Sequence, residues 1–182
     1  MRLAALVTIV CLEGGCRLFW PPIKPVPDQG LTSEVHRAHV GEIVFATSVI
    51  EKWHEDPKTF QTHFRTGDGI YGRFYLARSL TNESIHRFEE WEDGHYELRI
   101  LVDGKRASSF RGQLDRDETT LELGLVRPLS DHGEWEMQDW YEREITRHMP
   151  PGHHEIRVEL WPERNGKPYG DAPLARGTFT LD

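Results

Sequence analysis

Along residues 156–160, Ile156, Val158 and Leu160 alternate with Arg157 and Glu159, and Glu155 extends the charged side. Period two, with one apolar and one charged face, marks an antiparallel strand lying over a core. Pro150-Pro151-Gly152 precedes it. Two prolines stop any helix before them, and a glycine can take the positive φ of a tight turn. Trp161-Pro162 is expected to end the strand. The reading is a central strand of a sandwich, with Ile156, Val158 and Leu160 buried and Arg157 and Glu159 largely exposed.

The same patterning places the other elements. Residues 42–50 are rich in β-branched side chains and read as a first strand, followed by a charged loop to Pro57. Phe60, Thr62 and Phe64 alternate with Gln61, His63 and Arg65, which predicts a second strand. Gly67-Asp68-Gly69 is a turn. Residues 70–80 then read as a buried strand with Gly72 as an irregularity. Residues 81–93 are acidic and read as irregular. Tyr96, Leu98, Ile100 and Val102 form a clean alternation, Asp103-Gly104 offers a hairpin turn, and Phe110 and Leu114 lie on the return strand. Leu121, Leu123 and Leu125 share one face of a strand over 119–126. Asn165-Gly166 is a further turn signal, and residues 178–181 form the last strand.

One segment departs from period two. Tyr141, Ile145 and Met149 recur every four residues over 138–149, which predicts a short helix ended by Pro150. The fold class expected is therefore all-β: an antiparallel sandwich with one short helix.

The N-terminal part has a different pattern. Met1-Arg2 is followed by an apolar run over 3–12, too short to cross a bilayer comfortably and suited to a secretory h-region. Residues 20–30 hold Pro21, Pro22, Pro25 and Pro27, the composition of an extended, semi-rigid spacer. The organisation expected is a signal segment over 1–16, a Pro-rich linker over 17–40 and a β-sandwich domain over 41–182.

Three resemblances add to this. Glu13-Gly14-Gly15-Cys16 resembles the bacterial lipobox, in which small residues precede a cysteine that is lipidated. Glu13 stands where that motif has an aliphatic residue, with Leu12 one place earlier; an ordinary cleaved signal peptide is the alternative. By resemblance to Gram-negative lipoproteins, Arg17 rather than Asp after the cysteine implies the outer membrane. The run from Pro150 to Leu160, with Ala175-Arg176-Gly177-Thr178-Phe179-Thr180-Leu181 after a loop, resembles the closing strands of immunoglobulin-like domains of bacterial surface proteins. Gly67-Asp68-Gly69-Ile70-Tyr71-Gly72-Arg73 is similar to a segment of uncharacterised bacterial lipoproteins. What these imply is an immunoglobulin-like architecture and an envelope address, without an activity.

Charge narrows the partners. The formal net charge is −8 with no basic run, which disfavours nucleic acid and anionic lipid, so membrane contact is expected only through a lipid on Cys16. The two cysteines, Cys11 and Cys16, both lie in the leader, leaving no disulfide or thiolate metal site in the domain. The chain has ten histidines. His36 and His39 could share a helical face as metal ligands, whereas His153 and His154 point apart on a strand. With no third ligand in sight, no metal and no cofactor are expected. The acidic clusters at 89–93, 115–118 and 134–139 lack a calcium-loop spacing and read as solvated faces. No Gly-x-Ser-x-Gly elbow or phosphate-binding glycine loop occurs.

Six tryptophans remain. Trp53, Trp91, Trp135, Trp140 and Trp161 fall beside charged residues or prolines, where they either cap the core or contact a ligand. Trp91, Trp135 and Trp140 are the candidate ligand contacts, and no catalytic residue is proposed. The expected function is a non-catalytic envelope lipoprotein whose domain binds an envelope protein or a glycan. A carbohydrate-binding module and an envelope hydrolase with a non-local active site are the alternatives.

Overall fold

The computed structural model describes residues 23–88, 93–126 and 149–182. Two sheets face each other. The smaller is antiparallel and holds β1 (Ile43–Ala46), β3 (Ile70–Tyr75) and β6 (Thr120–Val126) in the order β1-β3-β6. The larger holds β2 (His63–Phe64), β9 (Ala175–Leu181), β7 (His154–Arg164), β4 (Gly94–Val102) and β5 (Lys105–Leu114) in the order β2-β9-β7-β4-β5, with β8 (Lys167–Pro168) folded back on β7. The architecture is the expected β-sandwich, and β7 is central in its sheet. β2 departs from the antiparallel pattern, since it runs parallel to β9.

The inward faces supply the core. Ile156, Val158 and Leu160 are fully buried against Leu98 and Ile100 of β4 and against Leu123 and Leu125 of β6. Phe179 sits between Phe45 and Phe64, with ring centroids 4.8 and 5.4 Å away. Each such side chain taken out of water contributes about 1.5–3 kcal/mol before ordering costs are counted. Gly177 permits the closest approach between the sheets: a Cβ there would lie 2.1 Å from the Ile43 carbonyl oxygen.

A third layer covers the outer face of the small sheet. Val44, Ala46, Ile50 and Tyr75 form a second cluster, joined by Val35 of α1 (Glu34–Ala38) and by Phe60, just after a 3-10 turn at Pro57–Thr59. β1 is thus buried on both sides, which is why its sequence is uninterrupted Ile-Val-Phe-Ala rather than alternating. His36 plugs this layer and is fully buried. Thr32 N–H points at its Nδ1 at 3.2 Å, so Nε2 carries the proton and donates to Leu76 O at 2.8 Å.

Several expectations change in detail. β1 stops at Ala46 instead of 50, and β3 stops at Tyr75 because α2 (Leu80–Phe88) begins at Leu80. Residues 81–88, read as irregular from their acids, are helical: Ser79 Oγ accepts from Asn82 N–H at the helix start, and Leu80 and Ile85 are buried. β7 does not end at Trp161-Pro162 but runs on to Arg164, with Pro162 opposite Tyr96. Arg157 and Glu159 are half-buried rather than largely exposed, since Arg157, Glu159, Trp161 and Arg99 pack over one another on the outer face. The irregularity of β3 falls between Ile70 and Tyr71, while Gly72 makes room for the Phe45 ring. The helix expected over 138–149 lies outside the described residues apart from Met149, which packs on the core.

The Pro-rich segment is docked from Val26 onward. Asn82 of α2 accepts from Val26 N–H and donates to Val26 O, each at 2.9 Å, and Asp28 accepts from Ser79 N–H and from Asn82 Nδ2. Gln29 N–H reaches Asp117 O, and Thr119 Oγ1 donates to Gly30 O. A stretch read as a spacer is here a strap across the small sheet's end.

Candidate functional site

The two sheets meet along β1 and β9, and their junction is incomplete. Arg176 N–H donates to Gly41 O at 3.1 Å, Gln61 N–H to Phe45 O at 2.9 Å, and Thr180 N–H to Thr62 O at 2.8 Å. These three bonds close a ring of main chain formed by residues 41–45, 61–62 and 176–180. Inside the ring lies a cleft of ≈ 800 Å³. Its floor is the backbone of Ile43, Phe45 and Gly177; Val40 and Phe60 give it apolar flanks.

Its polar lining is rich in donors. Period two places Thr178 N–H on the same edge of β9 as the N–H groups of Arg176 and Thr180. β2 pairs with β9 at Thr180 and Leu181, and a bridge joins Glu42 to Arg176, with Ile43 O and the Phe45 ring lying directly against Gly177. Arg176 is exposed on the rim, and no described carboxylate pairs with it. Arg157 reaches the cleft from β7. Its Nε is shut off from solvent and has no acceptor in line, although Glu159 Oε1 lies 3.3 Å away. The cleft's own carboxylate, Glu42, is taken by His39, whose Nδ1 lies 2.6 Å from Oε2. Chemically, the arrangement can hold an oxyanion.

Other polar groups are engaged within the fold. Arg73, buried on β3, donates from Nε to Ile50 O at 2.6 Å, and burial pushes its guanidinium below its ordinary pKa. Burial likewise raises Tyr75, and pushes Tyr96 up to about 12. Glu97 is nearly enclosed on β4. Burial opposes its ionisation, but hydrogen bonds and charge from Arg99, Ser109 and Arg106 prevail and hold it below the usual carboxylate range. At one end of the sandwich, the Asp182 carboxylate takes His153 Nδ1 at 2.5 Å and His63 Nε2 at 3.0 Å. The hydrogen bond from His153 is what chiefly lowers the Asp182 pKa.

The residues singled out from sequence are placed as follows. Cys16, Trp91, Trp135 and Trp140 lie outside the described residues. Trp53 is exposed beside Lys52, while Trp161 lies in β7 with the Arg99 guanidinium 4.4 Å from its ring centre, so the two do not form a row. Trp161 is neither an end cap nor a loop residue. His36 and His39 do not converge: the first is in the buried layer and the second faces the cleft. His153 and His154 diverge as period two requires, His154 turning to Asp103 Oδ2 at 2.8 Å and to Pro150 O. No group of three or more metal-ligating side chains occurs among the described residues. Within the 115–118 cluster, Glu118 Oε2 accepts from Asp115 N–H, a local turn contact. Sequence reading missed the cleft, because its lining joins residues 39–45 and 60–62 to residues 157 and 176–178, segments far apart in the chain. The one local signal was Gly177 amid β-formers, a mark of close backbone approach.

No protein-family model matches the chain. No curated protein matches it either. Among solved structures, the CARDB domain of a protein from Pyrococcus furiosus, crystallised in complex with di-metal ions, is similar over 79% of this chain and 93% of that one, at 8% identity and a TM-score of 0.32.

Proposed function

We propose that the chain is a non-catalytic binding protein of the bacterial envelope, anchored by a lipid on Cys16, which takes its ligand in the cleft between β1 and β9. The observation that supports it is the ring of main chain around an open cleft. A rigid sandwich holds the exposed Arg176, which pairs with no described carboxylate, beside a floor that the fold leaves open. Preformed concave sites with a few convergent polar groups are where ligands bind. The lipobox-like Glu13-Gly14-Gly15-Cys16 supports the envelope address, and the −8 charge argues against nucleic acid as the ligand. The glycan reading lacks a row of aromatics among the described residues. The hydrolase reading lacks a free carboxylate in the cleft, where Glu42 is held by His39.

Two arms test this in cells. A palmitate analogue should label the wild-type chain and not Cys16→Ala; equal labelling removes the anchor. A photo-crosslinking side chain at Thr62, on the cleft's rim, should capture a partner that the same group at the exposed Gln113 on β5 does not. Identical adducts from both positions, or none from Thr62, would overturn the cleft as the binding site.

A further inference from the structure

We infer that the turn over residues 149–152 is pinned by a doubly protonated His154 and released when that ring loses one proton, so that one wall of the cavity at this end of the sandwich loosens as pH rises. Each ring nitrogen faces an acceptor. Nδ1 lies 2.8 Å from Asp103 Oδ2, and Nε2 lies 2.8 Å from Pro150 O. A carboxylate and a carbonyl oxygen accept and do not donate. Both nitrogens must therefore carry a hydrogen, and only the imidazolium has two. His36 is the contrast: its Nδ1 faces the Thr32 N–H, and one hydrogen on Nε2 completes its bonds. His63 needs no second hydrogen either, since the Thr180 hydroxyl beside its Nδ1 can itself donate.

The partners decide which bond is lost. Asp103 is fixed to β7: its N–H donates to Glu155 O at 2.9 Å, and its Oδ1 accepts from Glu155 N–H at 3.0 Å. The bond to its charged oxygen is the stronger of the two. A neutral His154 keeps its hydrogen on Nδ1 and turns a bare Nε2 towards Pro150 O, where lone pair meets lone pair. His154 is buried, so bulk water does not take over freely. Pro150 and Gly152, with Ile70, Val126, Met149 and Leu181, line a cavity of ≈ 260 Å³, which ties that wall to the ring. Among the described residues, Asp103 is the charged group that touches the ring. Its chain neighbour His153 and, across the sheet, His63 are turned to Asp182; Asp68, at the cavity's rim, accepts from Arg65 N–H, and Glu155 is exposed. The Asp103 hydrogen bond raises the His154 pKa and lowers that of Asp103. Both ring bonds are thus complete below pH 6.5, and the one to Pro150 is lost as pH rises through the folded value.

The test is an NMR titration of the full chain, isotope-labelled at methionine methyls and histidine ring nitrogens, from about pH 5.5 to about pH 9. At the acid end both His154 ring nitrogens should be protonated. The Met149 methyl signal should then move with the same midpoint as the His154 ring. Asp103→Asn keeps an acceptor for Glu155 N–H and removes the charge; both midpoints should fall together by about one pH unit or more. His154→Gln cannot titrate and should leave the Met149 methyl indifferent to pH, with far-UV circular dichroism confirming the fold. His153→Gln should leave both midpoints where they are. A singly protonated His154 ring at the acid end would overturn the proposal. So would a Met149 methyl that ignores the His154 midpoint, follows His153 instead, or still titrates in His154→Gln.

Discussion

His36 and His154 show how the same side chain answers pH in opposite directions. Burial pulls the His36 pKa below 6.5, and the hydrogen bond to Leu76 O opposes that shift without overcoming it. Its contribution to stability is therefore complete above pH 6.5 and is lost as pH falls towards its folded pKa. For His154, the hydrogen bond to the Asp103 carboxylate raises the pKa, so its contribution is complete below pH 6.5 and is lost as pH rises through the folded value. Proton NMR should show His36 titrating below 6.5 and His154 above it, with His154 shifting down in Asp103→Asn. A His36 titration at or above 6.5 would mean that the outer layer is open to water.

At the scale of elements, patterns read correctly where one face met the core and the other met water. β4 and β7 were legible for that reason: Leu98, Ile100, Ile156, Val158 and Leu160 all face inward. β1 was overextended because its apolar run continues past the point where the chain turns away to build the outer layer. α2 was missed because acids and threonine masked a helix whose start is set by Ser79. The junction of β1 with β9 yields a sharp expectation. In Gly177→Ala the new Cβ would meet Ile43 O at 2.1 Å, a main-chain atom that cannot rotate aside. The cost should be about 1–3 kcal/mol or more in denaturant unfolding. Gly72→Ala, whose Cβ would meet the movable Phe45 ring at 3.3 Å, should cost less. The reverse ranking would show that the sheets do not meet as described.

At the scale of the whole molecule, the sandwich is wrapped by segments that sequence reading set apart from it. Residues 26–30 tie α2 to the turn before β6 through Asn82, Ser79, Asp117 and Thr119. A chain beginning at residue 31 loses these bonds, each worth about 1 kcal/mol net before the entropy of ordering the strap. A loss of about 1–3 kcal/mol, at roughly 2–4 °C per kcal/mol for a chain of this size, should appear as a lower Tm than that of a chain beginning at residue 23. Equal melting temperatures would mean that the strap is a passive spacer.

The sequence by itself determined the sandwich, the central position of the strand through Val158, and the hairpin at Asp103-Gly104, where both residues take positive φ. These follow from period-two patterning and from turn residues, which are local signals. Only the tertiary structure decided that residues 26–30 dock, that His36 is a buried plug, and that Trp161 lies within a strand beneath Arg99. The cleft belongs to the same group. Arg157, Arg176 and Thr178 look like ordinary solvent-facing strand positions in sequence, and a polar residue's neighbours across a sheet edge depend on which strand arrives there. Here β1 lies against β9 at Arg176 and Gly177 and β2 pairs with it from Thr180, so the cleft is a property of the path, announced locally only by Gly177.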